Sequence, residues 1–528
     1  MMDADVIVVG AGPTGLMLAV ELRLAGVRTL VLEREPQLRD TPKAGGLSGQ
    51  ILELLRYRGL LERFEAAGTE LQPALRLPFG SLHVDFTHLA VPPMQLLRLP
   101  QPRLERVLDE LAGELGAEIR RGHELFELNQ EDAMVTAHVC GPGERYRLTA
   151  RYLVGCDGAR SRVRDMAGIP FPGTTYPEIQ RLAAFTVPES VTVMENGDLE
   201  VAGVGRIPFG FTVTARGLFA TGSTDPARMG LFTSEDESGD YDDDEPMTLS
   251  EFRNSIRRVL GVDLPLGEPR RLTRFTFHAR HVERYRDRRV LLAGDAAHLF
   301  PAPGVALNAG MLDSVNLGWK LGAALHGWAP AGLLDTYHAE RHRAGERTLL
   351  HTRAQVALRR GHDAAAQALR ELFGELLADE QPLRRIGALI AGTDIRYPPA
   401  GPTLHPLTGT FAPDLSLQAG EGRTSVAELM HRARPILLNL SGRRDFCETA
   451  RDWHGRVDVH SAKSECAPAG ALLIRPDAFI AWAARSEEPA ESAVPALRTA
   501  LSEWFGPPEN LSGDGRVTPI TATSGREA

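Results

Sequence analysis

The first 33 residues show apolar runs and polar breaks in the order strand, turn, helix, strand. Val6 to Val9 form the short apolar run that is typical of a buried parallel strand. We predict a helix over 16–25, ended by Gly26, and a second strand from Thr29 to Leu32. This pattern predicts a β-α-β unit.

Two later segments show a strand, a turn and a helix in the same order. An apolar strand runs into Asp157-Gly158, and another runs into Gly294-Asp295 and a helix that starts near Asn308. Between them, residues 172–273 alternate apolar and polar positions as half-buried strands do. The remaining predicted elements are helices over 48–57 and 103–115, a four-strand meander at 117–121, 123–129, 133–140 and 145–149, a linker over 398–416, strands at 435–440 and 456–460, a hairpin over 471–482, and a helix over 493–505.

The glycine spacing of the first turn indicates a dinucleotide site. Gly10, Gly12 and Gly15 fit the G-x-G-x-x-G pattern: the first makes the turn, the second admits a pyrophosphate, and the third lets helix and strand pack. The helix N-terminus offers unpaired N–H groups and positive dipole charge to the phosphates. Glu33 ends the second strand, where its carboxylate can accept the hydroxyls of an adenosine ribose.

Three further polar positions are candidates. Lys43 is one of only three lysines in the chain, and it follows the second strand, so we predict a compact charge near phosphates or flavin; a solvated lysine is the alternative. Asp157-Gly158 by itself is equally compatible with an ordinary turn. Asp295 ends a strand and is well placed to bind a polyol, with the helix near Asn308 facing a nucleotide-like ring.

The β-rich region contributes a candidate pocket. Phe209, Phe211 and Val213 alternate and so lie on one face of a predicted strand, which could line an apolar substrate pocket or a plain sheet core. The carboxylate-rich segment 235–245 is predicted to be a solvated loop. His338 and His342 lack a placed third ligand, so we predict surface residues and no metal site.

The charge, the cysteine content and the lengths of the apolar runs exclude several classes of function. The net charge is −10 with no basic stripe carrying aromatics, which argues against nucleic acid as a partner. Four widely spaced cysteines without C-x-x-C fit a reducing cytoplasm and argue against a zinc or dithiol site. No apolar run is long enough to cross a bilayer, so no membrane association is expected.

The three turn motifs, with Leu334-Asp-Thr-Tyr-x-x-Glu-Arg and Phe505-Gly-Pro-Pro, resemble the class A flavoprotein monooxygenases, the para-hydroxybenzoate hydroxylase family. Within that family the chain resembles bacterial aromatic polyketide hydroxylases and rifampicin monooxygenase-like enzymes. The resemblance implies an α/β fold: a Rossmann-like FAD-binding domain, an inserted β-rich substrate domain and a C-terminal thioredoxin-like α/β domain. The implied boundaries are 1–76, 96–172 and 274–397 for the first domain, 77–95 and 173–273 for the second, and 398–528 for the third.

By this resemblance Glu33 binds the adenosine ribose of FAD, Asp157-Gly158 serves the pyrophosphate and NADPH, and Asp295 binds the ribityl chain. Gln101 would contact FAD, and Leu307-Asn308 would face the flavin pyrimidine. The predicted cofactor-binding residues are Gly10, Gly12, Pro13, Thr14, Gly15, Glu33, Arg34, Lys43, Gln101, Asp157, Gly158, Gly294, Asp295, Gly304, Leu307 and Asn308; the predicted substrate pocket contains Phe86, Phe209 and Phe211. No residue is identified as catalytic.

Two positions depart from the family pattern. Lys43 stands where the family usually has arginine, and the segment from Pro301 to Asn308 is one residue shorter than the usual loop. Pro303 and Ala306 replace two glycines of that loop. Because proline fixes φ and lacks an N–H, we expect a stiffer loop beside the flavin.

The resemblance implies that FAD, reduced by a transiently bound NADPH, reacts with O2 to form a C4a-(hydro)peroxide that hydroxylates an aromatic polyketide in natural-product biosynthesis. The alternatives are Baeyer–Villiger insertion into a polyketide ketone by the same peroxide, a flavin dehydrogenase or reductase, and a non-enzymatic flavin- or polyketide-binding protein. We expect a cytoplasmic monomer or homodimer.

Overall fold

The computed structural model describes residues 2–40, 43–194, 196–222, 228–236, 246–361, 363–399, 405–420 and 422–509. The elements up to residue 170 are β1 (Val6–Val9), α1 (Pro13–Leu24), β2 (Thr29–Glu33), β3 (Gly46–Ser48), α2 (Gln50–Tyr57), α3 (Leu61–Ala67), β4 (Gln72–Pro73), β5 (Arg76–Phe79), β6 (Leu82–Asp85), β7 (Gln95–Arg98), α4 (Gln101–Glu114), β8 (Glu118–Arg121), β9 (Glu124–Gln130), β10 (Val135–Cys140), β11 (Arg145–Ala150), β12 (Tyr152–Gly155) and α5 (Arg162–Met166).

The elements of residues 173–299 are mainly strands: β13 (Gly173–Thr186), β14 (Val191–Val193), β15 (Leu199–Val201), β16 (Gly205–Ile207), β17 (Gly210–Thr214), β18 (Gly217–Thr221), β19 (Arg228–Asp236), α6 (Leu249–Leu260), β20 (Pro269–His281), β21 (Arg286–Asp287), β22 (Val290–Leu292), a 3-10 turn (Gly294–Ala296) and β23 (His298–Leu299). The rest of the chain comprises α7 (Ala306–Leu325), α8 (Asp335–Arg359), α9 (Ala364–Leu377), α10 (Glu380–Ala391), β24 (Ser416–Ala419), β25 (Gly422–Ser425), α11 (Val426–Leu429), β26 (Ile436–Asn439), α12 (Arg444–Ala450), a 3-10 turn (Arg451–Trp453), β27 (Asp458–Ser461), β28 (Ala471–Ile474), β29 (Ile480–Ala484) and α13 (Ala490–Phe505).

A six-stranded sheet in the order β21-β22-β12-β1-β2-β8 forms the centre of the cofactor half of the chain. β22, β12, β1, β2 and β8 run parallel, and β21 pairs antiparallel at the edge. β1, β12 and β22 are fully buried, as the apolar runs predict. The chain leaves β1 toward β2 on one side and returns through β12 on the other, so the ligand crevice of such a sheet lies at the carboxyl end of β1.

Two predicted elements of this half differ from the structure. α1 begins at Pro13, not at residue 16, because proline is favoured at the first helical position, where its missing N–H costs nothing. The predicted four-strand meander is wrong at its first strand, since β8 joins the parallel sheet and only β9, β10 and β11 form a separate antiparallel sheet. Local alternation of residues carries no information about which strand is the neighbour.

A second six-stranded sheet, in the order β17-β18-β19-β13-β20-β23, forms the β-rich region. One face packs on α6 through a core that includes Phe185, Phe219, Leu231 and Phe252. β23, which follows the Gly294-Asp295 turn, pairs with the end of β20 through His298 and His281. The two sheets are therefore joined at the place where the third turn motif ends.

The C-terminal region contains a four-stranded sheet in the order β27-β26-β28-β29. β26 and β27 run parallel, whereas β28 and β29 are antiparallel to their neighbours. This is the strand order of a thioredoxin-like sheet, and α12 and α13 cover its apolar core with Trp453 and Trp482. The predicted α/β fold class is confirmed, and the domain boundaries stay predictions.

Two loop predictions need correction. Residues 405–416 of the predicted linker are not a free connection, because Gly409 N–H donates to Ile480 O and Ala412 N–H donates to Ala478 O; residues 400–404 of that segment lie outside the described residues. In the predicted acidic loop, Glu235 is buried in β19 and pairs with Arg181 and Arg258. Residues 237–245 of that loop lie outside the described residues. Within the described ranges, no helix is both long and apolar enough for a membrane span.

Candidate functional site

Four polar turns lie at one edge of the parallel sheet. Gly10 follows β1, Glu33 ends β2, Asp157 follows β12 by two residues, and Gly294-Asp295 follows β22 by two. Because the carboxyl ends of parallel strands meet at one edge, the sheet brings these motifs together. The sequence motifs thus share one crevice, although they are separated by more than 250 positions in the chain.

The three glycines have different surroundings. A Cβ on Gly10, which has a φ of +106°, would lie 2.4 Å from Cys156 O, and one on Gly15 would lie 1.9 Å from Gly10 O. These two glycines are therefore required by backbone packing. A Cβ on Gly12 would meet no atom within 4 Å, so Gly12 faces open space in front of the helix. α1 starts at this point with no side-chain cap and no acidic residue in its first turn, so its N–H groups suit a phosphate.

Pro13 and Thr14 form the first turn of α1. Thr14 packs against the third motif, since a Cβ on Gly294 would lie 2.6 Å from Thr14 Oγ1. Thr14 O also accepts a hydrogen bond from Ser314 Oγ on α7 at 2.7 Å. α1, the Gly294-Asp295 turn and α7 are thus held together.

Glu33 is fixed beside the glycine turn by two backbone donors. Ala11 N–H donates to one carboxylate oxygen at 2.7 Å and Glu35 N–H donates to the other at 2.9 Å. The group remains half-exposed, so its remaining lone pairs can accept ribose hydroxyls. The adjacent Arg34 is largely exposed and lies 3.5 Å from Glu35.

Asp295 and Lys43 carry opposite charges and lie in the crevice at the ends of the parallel strands. Both side chains reach solvent, yet protein surrounds them closely. Desolvation raises the pKa of Asp295. Desolvation, aided by Arg39, lowers the pKa of Lys43, and Asp295 and Glu105 oppose that shift. This arrangement fits a polyol acceptor next to a cation.

The turn that carries Asp295 is anchored from behind by Asp313. Gly294 N–H donates to Asp313 at 2.9 Å, and His298 Nε2 and Arg341 Nε lie 2.8 Å and 2.6 Å from the same carboxylate. Although burial would raise it, Arg341 and His298 hold the pKa of Asp313 at about 2. None of these three anchoring residues was recognised in the sequence, because their partners are 15 to 28 positions apart.

Asp157 has a packing role. Its carboxylate accepts from Ser161 Oγ at 2.5 Å and from Val163 N–H at 3.1 Å, and so it supports the start of α5, whose N-cap is Ser161. Burial raises the pKa of Asp157, and these hydrogen bonds oppose the shift. Gly158 has a φ of +85° and open space at its Cβ position, so its backbone is the part of this motif that a ligand can approach.

Gln101 and Asn308 complete the predicted set. Gln101 starts α4, is buried, and donates from Nε2 to Glu105 at 2.7 Å, while burial raises the pKa of Glu105. Asn308 lies in the first turn of α7 and donates from Nδ2 to Ser48 Oγ and to Gly304 O at 3.1 Å and 2.9 Å. Leu307 packs on the main core, and Gly304 has a φ of +83° that favours glycine.

The face of the second sheet opposite α6 lies next to these turns and is mostly apolar and half-buried, and we call it the apolar cleft. Ala279 on β20 packs against Phe300 and, with it, against residues 305, 306 and 309 of the loop and of α7. Because alternate residues share a face, Phe277, Phe275 and Thr273 continue this face away from the turn. Residues directly opposite on neighbouring strands extend it: Gln180, Leu182, Phe232, Ala220 and Phe211.

The predicted pocket residues have different positions. Phe211 belongs to this half-buried face, 5.7 Å from the ring of His83 on the hairpin of β5 and β6. Phe209 precedes β17 and packs near Gly197, because Gly210, with a φ of +89°, interrupts the alternation that was predicted to align the two rings. Phe86 is fully buried in a cluster under α8 and α10. The other cleft residues were not recognised because finding them requires the strand register.

The residues present fit FAD. The open space at Gly12, the carboxylate of Glu33 at the second strand and the accessible Asp295 in the crevice match a phosphate, a ribose and a polyol chain, respectively. Among the described residues, no group of three or more His, Cys, Asp or Glu side chains could hold a metal ion.

Comparisons with known proteins agree with this geometry. A FAD binding domain family matches residues 3–352, and an aromatic-ring hydroxylase C-terminal family matches residues 405–508. The chain is 41% identical over 517 residues to the 12-dehydrotetracycline 5-monooxygenase/anhydrotetracycline 6-monooxygenase of Streptomyces rimosus, covering 96% of this chain and 100% of that protein. It is 39% identical to the rifampicin monooxygenase of Streptomyces venezuelae over 510 residues, covering 95% and 98%.

A solved structure gives the same result. CabE, an aromatic hydroxylase from angucycline biosynthesis, superposes with a TM-score of 0.85 at 37% identity, covering 96% of this chain and 100% of that one. The resemblance seen in the turn motifs is thereby confirmed over nearly the whole chain. The chain belongs to the class A flavoprotein monooxygenases and is an FAD-dependent monooxygenase.

Proposed function

We propose that this enzyme consumes NADPH and O2 to hydroxylate an aromatic polyketide in the biosynthesis of a natural product. One observation carries the proposal: the edge that fits FAD and the apolar face of the second sheet meet at residues 300–309. A flat, fused aromatic substrate could lie on that face with one ring directed at the cofactor. The similarity to tetracycline and angucycline hydroxylases supports this substrate class.

When bound, FAD supplies the two-electron chemistry that adds one atom of O2 to an organic substrate. The overall reaction consumes substrate, O2, NADPH and a proton and yields the hydroxylated product, water and NADP+. The residues of the chain bind and orient: Gly12 and the N–H groups of α1 would hold the pyrophosphate, Glu33 the ribose and Asp295 the ribityl chain. Phe275, Phe277 and the rest of the sheet face would exclude water from the substrate.

In this proposal NADPH binds without a nucleotide-binding domain of its own. The chain contains one G-x-G-x-x-G motif, which serves FAD, so NADPH would bind only transiently. All four cysteines are free, in agreement with a reducing cytoplasm. A monomer or homodimer is the proposed assembly.

The decisive experiment is mass spectrometry of the products formed from tetracyclic and angucyclic phenols under 18O2. We expect substrate-dependent oxidation of NADPH and a hydroxylated product that carries one 18O atom. The variant Asp295→Ala, which should retain less FAD, is the matched negative control.

Each alternative gives a different result in the same experiment. A lactone that carries 18O would indicate Baeyer–Villiger insertion instead of hydroxylation. A product without new oxygen would indicate a flavin dehydrogenase or reductase. Bound ligand without NADPH oxidation would indicate a binding protein.

A further inference from the structure

Arg359, the last residue of α8, lies where the apolar cleft meets the loop after the Gly294-Asp295 turn. Its Nη2 donates to Pro301 O at 3.0 Å. Its guanidinium carbon lies 4.8 Å from the centre of the Phe277 ring, which belongs to the cleft face of β20. The side chain thus joins the substrate face to the loop that leads to Gly304 and Asn308.

This guanidinium has no carboxylate partner among the described residues. The ionisable groups that face it are Glu178 and Tyr176, and Glu178 forms its ion pair with the neighbouring Arg360 instead. Within the same ranges, Nε and Nη1 of Arg359 make no hydrogen bond. Burial lowers the pKa of Arg359 to about 10, although the group stays charged at neutral pH.

A half-buried and unpaired charge costs free energy, and a partner of opposite sign would offset that cost. The donor atoms Nε and Nη1 of Arg359 remain available beside an apolar surface that suits aromatic rings. The chemistry that fits is an oxygen anion attached to a flat apolar body. An ionised phenol or enol has both properties.

We propose that Arg359 binds the ionised phenol or enol oxygen of the substrate and orients that ring toward the 301–308 loop. The inference rests on the proposed function, which supplies the aromatic substrate. In this step the substrate O–H loses its proton to solvent, and the oxygen keeps the electron pair and accepts charge-assisted hydrogen bonds from Nε and Nη1. Ionisation also increases the electron density of the ring, as addition of an electrophilic oxygen requires.

The test measures the ionisation of a bound phenol without turnover. The oxidised FAD-loaded enzyme is titrated with 1,8-dihydroxyanthraquinone, and separately with its dimethyl ether, in the absence of NADPH. The absorbance of the ionised anthraquinone is followed against pH where oxidised flavin does not absorb. Wild type, Arg359→Gln, Arg359→Lys and the control Arg353→Gln are compared; Arg353 is an exposed arginine on the same helix.

We expect wild type and Arg353→Gln to lower the pKa of the bound phenol by at least about one unit, a tenfold change in its ionisation constant. Arg359→Gln should abolish the shift and keep its FAD, and Arg359→Lys should retain part of it because the charge remains. The dimethyl ether, which cannot ionise, should bind wild type and Arg359→Gln equally.

Three outcomes would overturn the proposal: an unshifted phenol pKa in wild type, an equal shift in Arg359→Gln, or no binding of the phenol by wild type. Loss of FAD from Arg359→Gln with an unchanged phenol shift in its reconstituted form would assign the residue to loop support. If wild type gives any of these results but still forms the 18O-labelled hydroxylated product, only the role of Arg359 is overturned and the proposed hydroxylase function stands. Failure of that function would appear separately, as a missing 18O atom in the product.

Discussion

At the scale of single residues, Glu33 has the clearest predicted effect on the cofactor. Two backbone N–H groups orient its carboxylate beside the glycine turn. We expect Glu33→Ala to weaken FAD binding about 10- to 100-fold, because a hydrogen bond to a charged group contributes about 1.5–3 kcal/mol. Equilibrium dialysis against FAD measures this effect. Glu35→Ala, which keeps the backbone donor, is the control, and a variant that keeps its FAD but loses NADPH affinity would show that Glu33 binds the other nucleotide.

A second residue prediction concerns Ala478 in the turn between β28 and β29. Ala478 has a φ of +63°, in the left-handed region that is costly for any residue with a Cβ. We expect Ala478→Gly to raise the free energy of unfolding by about 1 kcal/mol, because glycine adopts this conformation without strain. Urea denaturation followed by tryptophan fluorescence checks it. Ala427→Gly inside α11 should have the opposite sign.

The sequence predicted residues well where one local motif determines the geometry. The glycine triplet with Glu33 needs only its own spacing and the strand before it, and the structure places all four at the crevice. The motifs did not predict contacts made outside them. The carboxylate of Asp157 accepts hydrogen bonds from Ser161 and Val163, and its cofactor role stays a prediction. Arg359 gives no local signal because Pro301 and Phe277 are far away in the chain.

At the scale of elements, the two faces of the second sheet should respond differently to truncation. Phe185 is fully buried against α6, whereas Phe275 is half-buried on the cleft face. We expect Phe185→Ala to lower the free energy of unfolding by about 3–5 kcal/mol. Phe275→Ala should change stability much less and weaken substrate binding. Urea denaturation and substrate titration of both variants provide the measurement, and equal loss of stability in the two would contradict the assignment of faces.

Element types were predicted more reliably than their neighbours. The apolar runs identified β1, β12 and β22, because parallel strands buried on both faces have a distinctive composition. The alternation of apolar and polar residues did not predict which strands pair. β8 was predicted to belong to the meander, but it pairs with β2. The cleft face was not predicted for the same reason, since Phe275 and Phe211 share a face only through the register of three intervening strands.

At the scale of the whole molecule, buried neutral histidines make stability depend on pH. Burial lowers the pKa of His351 from 6.5 to about 4 and that of His281 to about 3. Below about pH 6.5 the unfolded chain binds protons that the folded chain does not bind. The free energy of unfolding therefore decreases as the pH is lowered from about 6.5 to 4. We expect His351→Gln to reduce this slope by about 1.4 kcal/mol per pH unit, measured by urea denaturation at several pH values. An unchanged slope would mean that His351 titrates alike in both states.

The C-terminal region is tied to the cofactor region by the buried turn Arg475–Asp477. The Arg475 guanidinium pairs with Glu340 of α8 at 2.5 Å and with Asp477 at 2.5 Å. Asn316 of α7 donates to both carboxylates, at 2.7 Å to Glu340 and 2.8 Å to Asp477. Arg58, paired with Glu21 of α1, donates to Pro476 O at 2.8 Å. This turn thus contacts α7 and α8 directly and is linked to α1 through Arg58, and the N-terminal ends of α1 and α7 belong to the proposed FAD site.

Removal of Arg475 should therefore affect both stability and cofactor. Arg475→Ala leaves the carboxylates of Glu340 and Asp477 buried with less compensation, and breaking such a pair costs about 3–5 kcal/mol. Because Asn316 of α7 donates to both carboxylates that Arg475 holds, the same variant should loosen α7 and release FAD more readily than wild type. Arg498→Ala, which removes a half-exposed arginine 3.3 Å from Asp452, should cost less than about 1 kcal/mol and leave FAD retention unchanged. Thermal unfolding and the flavin content after gel filtration measure the two effects. If Arg475→Ala is destabilised but keeps its full flavin content, the turn fastens the C-terminal region without supporting the cofactor site.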